Sequence, residues 1–180
     1  RGREGDFELL EKAGSEKGFE VERAQTLEFK GERISSSRVR ESLASGDFEL
    51  AEALMGRPYS IMGRVVYGRQ LGRQLGVPTA NVRLQRYRSA LEGVYSVSVD
   101  GLDVGRKNGI ANIGIRPTVG GKEPLLEVHL FDFSGDIYGH LISVTFHQKI
   151  RDEQQFASIE LLKAQIEKDI VQSQDWFLSN

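Results

Sequence analysis

Gly93-Val94-Tyr95-Ser96-Val97-Ser98-Val99 is the stretch on which the fold turns. Tyr95, Val97 and Val99 share one face and Val94, Ser96 and Ser98 the other, the two-residue period of a β-strand. Similar short runs occur at 61–67, 109–113, 125–131 and 141–149, separated by glycine-rich turns. Regular spacing of this kind predicts a small antiparallel barrel rather than βαβ units, and closure removes exposed strand edges. Helical period then returns: Ile159, Leu162, Ile166 and Ile170 form an apolar stripe behind a cap at Ser158, which predicts one helix packed across the barrel.

Upstream the period is helical too. Asp6 can cap a helix through Lys17 that stops at Gly18, and Ser36 or Ser37 can cap a helix over 38–45 that stops at Gly46. Asp47 caps a third, with Phe48, Ala51 and Leu54 on one stripe, closing at Gly56 before Pro58. Charge changes at the same point. Residues 1–56 carry 13 acidic and 9 basic side chains, whereas 57–91 hold 7 arginines and no acid. We therefore place a boundary at Arg57-Pro58, with a short, mainly helical segment over 1–56 and the β domain over 57–180.

Composition limits the function classes. At 180 residues the chain has room for one domain with a smaller attachment. A net charge of −2 argues against a dedicated DNA binder, and the absence of cysteine excludes disulfides, thiolate metal sites and a catalytic thiol. No apolar run approaches the roughly 18 residues that span a bilayer, so a cytoplasmic protein without a membrane partner is expected.

The string from Gly63 to Asn81 places glycines at 63, 68, 72 and 76 beside Arg69 and Arg73. Glycines let backbone N–H groups approach a ligand, and arginines without nearby carboxylates suit a polyphosphate. The same spacing also describes a glycine-rich hairpin with solvated arginines. Thr79 and Asn81 lie one residue apart, so on a strand they offer two oxygen donors from one face, a set that suits Mg²⁺ shared with nucleotide phosphates, or alternatively a capped turn. In Leu125-Leu126-Glu127-Val128-His129-Leu130-Phe131, Glu127 shares a face with apolar Leu125 and Phe131. Such surroundings favour its neutral form and make it a candidate base; a salt-bridged carboxylate is the plainer reading. His129 reads as structural. In 149–156, a charged loop with Phe156 either meets a flat heteroaromatic ligand or tucks Phe156 into the core.

In order, Gly72-Arg73, Gly76-Val77-Pro78-Thr79-Ala80-Asn81, Gly93-Val94-Tyr95, Ala111-Asn112-Ile113-Gly114-Ile115-Arg116-Pro117-Thr118, Glu127-Val128-His129-Leu130, Asp136-Ile137-Tyr138-Gly139 and Ile150-Arg151-Asp152-Glu153-Gln154-Gln155-Phe156 resemble the riboflavin kinase domain. The resemblance is to the form at the C-terminal end of the bacterial bifunctional riboflavin kinase/FMN adenylyltransferases, or FAD synthetases. It implies a six-stranded antiparallel Greek-key barrel with a C-terminal helix, and transfer of the ATP γ-phosphoryl group to the 5′-hydroxyl of riboflavin, giving FMN and ADP. By the same resemblance Thr79 and Asn81 hold Mg²⁺, while Gly68, Gly72 and Arg73 line the phosphate site. Glu127 is the base; Leu130, Asp132 and Tyr138 surround the nucleotide; Arg151, Gln154 and Phe156 lie in the flavin loop.

Residues 1–56 resemble the tail of the adenylyltransferase domain, with Ile34-Ser35-Ser36-Ser37-Arg38-Val39-Arg40 matching its phosphate-binding Ile-Ser-Ser motif. The His-x-x-His signature of that domain's front half is absent, so adenylyl transfer is not expected from this chain without the remainder of a longer parent. Self-association is left open. The alternative of another class is a small nucleic-acid-binding β-barrel with residues 57–91 as its footprint; the net charge opposes it, and no nucleic-acid partner is expected.

Overall fold

The computed structural model describes residues 6–23, 25–68, 72, 76–84, 89–118 and 121–180, which divide into two compact units, 1–34 and 35–180. In the first unit, α1 (Phe7–Lys17) is capped by Asp6, whose carboxylate accepts from the Leu9 amide, and stops at Gly18 in the left-handed region. A two-stranded hairpin follows, β1 (Glu28–Phe29) with β2 (Glu32–Arg33), turning through Lys30 and Gly31 at positive φ. Leu9, Leu10, Phe19 and Leu27 of this unit are exposed.

The second unit opens with α2 (Ser36–Ser45) and α3 (Phe48–Met55). The α2 cap is Ser35, one residue ahead of the two serines expected, because its hydroxyl reaches the Arg38 amide while Ser36 has already turned helical. Both helices belong with the barrel: Leu43, Phe48 and Ala51 join its core, and the Phe48 ring meets Tyr95 edge-on at 5.8 Å and stacks on Phe146 at 6.4 Å. The packing division therefore falls between Ile34 and Ser35, ahead of the change of period at Arg57.

Six antiparallel strands close the barrel: β3 (Ser60–Val66), β4 (Ala80–Arg83), β5 (Gly93–Asp100), β6 (Lys107–Thr118), β7 (Gly121–Leu130) and β8 (Leu141–Arg151), in the order β3-β4-β7-β6-β5-β8. β5, β6 and β7 follow one another as hairpins and β8 returns beside β5, a Greek key. β6 and β7 extend further than their apolar runs suggest, because the β6–β7 ladder continues through Pro117 and Pro124, residues that mask a two-residue period. Phe131, expected to end a strand, begins a turn in which Asp132 takes φ 49.

Inward side chains fill the barrel: Ile61 and Val65 from β3, Val82 from β4, Tyr95, Val97 and Val99 from β5, with counterparts from the other three strands. The Tyr95 hydroxyl donates to the Glu92 carbonyl at 2.8 Å, and burial pushes its pKa up to about 12. β5 is buried on both faces because α4 (Ile159–Ser179), capped by Ser158, lies over the outer one. Ile170 and Phe177 of α4 pack against Val94, Ile110 and Phe131. Ile159, expected on this stripe, is 65% exposed, whereas the polar Asp169 and Ser173 are buried. The C-terminal turns are pinned by His147, whose ring stacks on Trp176 at 5.4 Å and whose Nε2 lies 2.8 Å from Ser98 Oγ.

Two expectations follow. Phe48→Ala empties a three-ring contact and should cost about 3–5 kcal/mol of stability, read as a lower urea midpoint. Burial, with Arg106 adding to it and Glu52 opposing, lowers the His147 pKa below the usual 6.5. The unfolded chain then binds the proton first, so stability should fall as pH drops from 6.5 to the lower folded value. An NMR titration of His147 with a midpoint at or above 6.5 contradicts this.

Candidate active site

One register row crosses the barrel. Val66 pairs with Asn81, Asn81 with Glu127, Glu127 with Asn112, Asn112 with Val94, and Val94 with Arg151. Their chain neighbours Val65, Val82, Leu126, Val128, Ala111 and Ile113 are buried in the core, so this row faces outward. Helix α4 packs over Val94, and from there the row leads through three polar residues in succession: Asn112, Glu127 and Asn81.

The surroundings of Glu127 differ from the apolar setting read along its own strand. Across the strands it stands between two amides, about 4.5–5.5 Å away by ordinary pairing geometry. Neutral amides can orient a carboxylate without adding charge. Asn112 escaped notice as a site residue because only cross-strand pairing brings it beside Glu127; its one signal is a lone amide at an outward position of an apolar strand.

The glycine-rich turn closes over the end of β4. A Cβ at Gly68 would collide with the Asn81 amide, and one at Gly72 would collide with the Val77 carbonyl and stand 3.1 Å from Thr79 Oγ1. The Val77 amide donates to the Gly72 carbonyl at 2.8 Å, fixing the turn. From β7, the His129 Nδ1–H donates to the Pro78 carbonyl at 2.8 Å. Glu127 and His129 thus have separate tasks: one sits beside Asn81, and the other ties down the residue before Thr79. Arg73 lies outside the described residues.

Thr79 also lines a cavity of about 580 Å³ with Tyr67, Leu130, Phe133 and Tyr138. The Tyr67 and Tyr138 rings stack with centroids 3.8 Å apart, and the Asp136 carboxylate accepts from the Tyr138 amide at 2.9 Å. Leu130 and Tyr138 therefore come together with Thr79. Asp132 does not; it is exposed on its left-handed turn.

The loop after β8 lies along the same outer face, for the Glu153 carboxylate presses on Gly114, two residues from Asn112. Arg151 at its start is half-buried, pairs with Asp169 of α4 at 2.8 Å and lies 5.7 Å from the centre of the Phe156 ring. Gln154 is exposed. A second cavity of about 440 Å³, lined by Leu91, Glu92, Lys149, Asp152 and Glu153 among others, opens beside this loop.

Comparison with known proteins reads this arrangement. Residues 55–177 match the family described as Flavokinase: Riboflavin kinase. The chain belongs to the riboflavin kinase family. It is 56% identical over 169 residues to the bifunctional riboflavin kinase/FMN adenylyltransferase of Pseudomonas fluorescens, covering 93% of this chain and 54% of that protein. With the protein of the same description from Escherichia coli K12 it shares 52% identity over 176 residues, 98% of this chain and 56% of the relative. The chain thus spans about half the length of the curated relatives it matches. A crystal structure described as a macrolide-efflux protein from Streptococcus pneumoniae is similar at TM-score 0.71 and 33% identity, over 92% of this chain and 53% of its own.

All the outward polar residues described above lie inside the segment matched by the riboflavin kinase family. Gly68→Ala tests the turn. The added methyl group should collide with the Asn81 amide and cost about 1–3 kcal/mol of stability, read as a lower urea midpoint; an unchanged midpoint contradicts this.

Proposed function

We propose that residues 57–180 act as a riboflavin kinase, transferring the γ-phosphoryl group of ATP to the 5′-hydroxyl of riboflavin to give FMN and ADP. The observation that carries the reading is the register pairing of Asn81 with Glu127 beside the Thr79–Gly72 turn, in a chain of the riboflavin kinase family.

ATP lies with its phosphates along the glycine turn, where Gly68 and Gly72 let the backbone close on Asn81 and the Val77–Thr79 segment, and where Arg73 adds charge. Leu130, Tyr138 and Tyr67 enclose the rest of the nucleotide. Among the described residues no three His, Asp or Glu side chains group to hold a metal ion. The hydroxyl of Thr79 and the amide oxygen of buried Asn81 are hard, neutral donors that fit Mg²⁺ shared with phosphate oxygens. When bound, Mg²⁺ offsets negative charge on the transferring group. Riboflavin lies against the loop holding Arg151, Gln154 and Phe156, with its ribityl chain towards Glu127. The 5′-hydroxyl oxygen bonds to the γ-phosphorus as the bond to the β-bridging oxygen breaks, and the hydroxyl proton passes to Glu127. The work of these side chains is mostly alignment and neutralisation of charge.

Of the segment 1–56, the part outside the barrel's packing unit, 1–34, is the end of an FMN adenylyltransferase domain, and FAD formation belongs to the longer bifunctional relatives, in the cytoplasm. The nucleic-acid alternative gains nothing: the Arg64 guanidinium donates to the Gly139 carbonyl and that of Arg57 to the neighbouring Pro58 carbonyl.

Chromatography of riboflavin incubated with ATP and Mg²⁺ tests the reading. The parent chain should make FMN and no FAD, and Glu127→Gln should lower kcat by about 10²–10⁴-fold with ATP binding retained. A folded parent that makes no FMN overturns the reading.

A further inference from the structure

We propose that Asp169 is a positioning residue for riboflavin binding, acting through Arg151 from the buried face of α4. The inference rests on the kinase reading above and adds a residue to it. Asp169 is 3% exposed, an unusual place for a carboxylate on a helix whose remaining buried stripe is apolar or hydroxylic. Its Oδ2 accepts from Arg151 Nε at 2.8 Å and forms an ion pair with Nη2, also at 2.8 Å, and its Oδ1 accepts from Gln165 Nε2 at 2.8 Å. The third guanidinium nitrogen, Nη1, donates to the Asp152 carbonyl at 2.9 Å. Each nitrogen of Arg151 thus faces an oxygen, and the guanidinium lies 5.7 Å from the centre of the Phe156 ring.

This network does not dock α4 alone, since Ile170, Phe177 and the Trp176–His147 stack also pack it on the barrel. A buried ion pair adds little net stability over apolar packing of the same volume, but it fixes geometry. Here the geometry fixed is that of the loop. Arg151 stands in register with Val94, which leads through Asn112 to Glu127, and the Glu153 carboxylate rests on Gly114. Asp169 thus sets where the chain leaves β8 relative to the polar row, and with it where a flat ligand against Phe156 meets Glu127. It touches neither substrate.

Initial rates of FMN formation at varied riboflavin and varied ATP test this on the whole chain, for the parent, Asp169→Asn, Asp169→Glu and Gln165→Ala, with melting curves for each. Asp169→Asn should raise the riboflavin KM about tenfold or more while the ATP KM stays within about twofold. Asp169→Glu should recover part of the loss. Gln165→Ala, which frees one oxygen without stranding a charge, should raise the riboflavin KM about threefold and carries the test should Asp169→Asn not fold. Folded variants with an unchanged riboflavin KM, or with both KM values rising together, overturn the proposal. A folded parent that makes no FMN overturns the kinase reading itself, a result distinct from either.

Discussion

Closure of the barrel is the constraint on which the rest depends. Each strand is paired on both sides, so its register is set twice, and a slip of one residue at any ladder would turn its core side chains to the outside. That double setting holds Asn81, Glu127 and Asn112 in one row although they lie on three strands, two of which are not neighbours in sequence. The apolar filling of Ile61, Val82, Val97, Leu126 and Val144 drives closure. The polar row is its consequence on the opposite face of the same strands.

The outer face is divided between two uses. Where α4 lies over it, Val94 and Ile110 are apolar and the strand is buried on both sides. Beyond that cover the row turns polar, and backbone takes over from helix as the neighbour: the glycine turn over β4 and the loop after β8 along β6. Both contacts are made at glycines. Gly68 against Asn81 and Gly114 against Glu153 leave no room for a methyl group, so chain and side chain meet at a distance that larger residues forbid. The helix that shields one half of the face also reaches the other, through Asp169 and Arg151.

Much of this was legible in the sequence. The strands at 61–67 and 94–99, the caps at Asp6, Asp47 and Ser158, and the stops at Gly18, Gly46 and Gly56 follow from local rules, since cap and period act within a few residues. The ends of β6 and β7 were less legible, because ladder pairing carried them through prolines. Of the candidate site, Thr79, Leu130 and Tyr138 come together around one cavity, and Asn81 stands beside Glu127. Asp132 stands exposed on the turn that follows β7. Asn112 and Asp169 were missed because nothing in the chain near either points to a partner.

The sequence by itself determined the class of fold, the change from helical to strand period at Arg57, and the family, because periodicity and ordered strings are properties of the chain. It also placed α2 and α3 upstream of the barrel. Only the tertiary structure decided that those helices complete the core, that Glu127 stands between two amides, and that Asp169 holds Arg151. The physical reason is common to all three: burial and pairing depend on residues distant in the chain, and the register that joins them exists only once the barrel has closed.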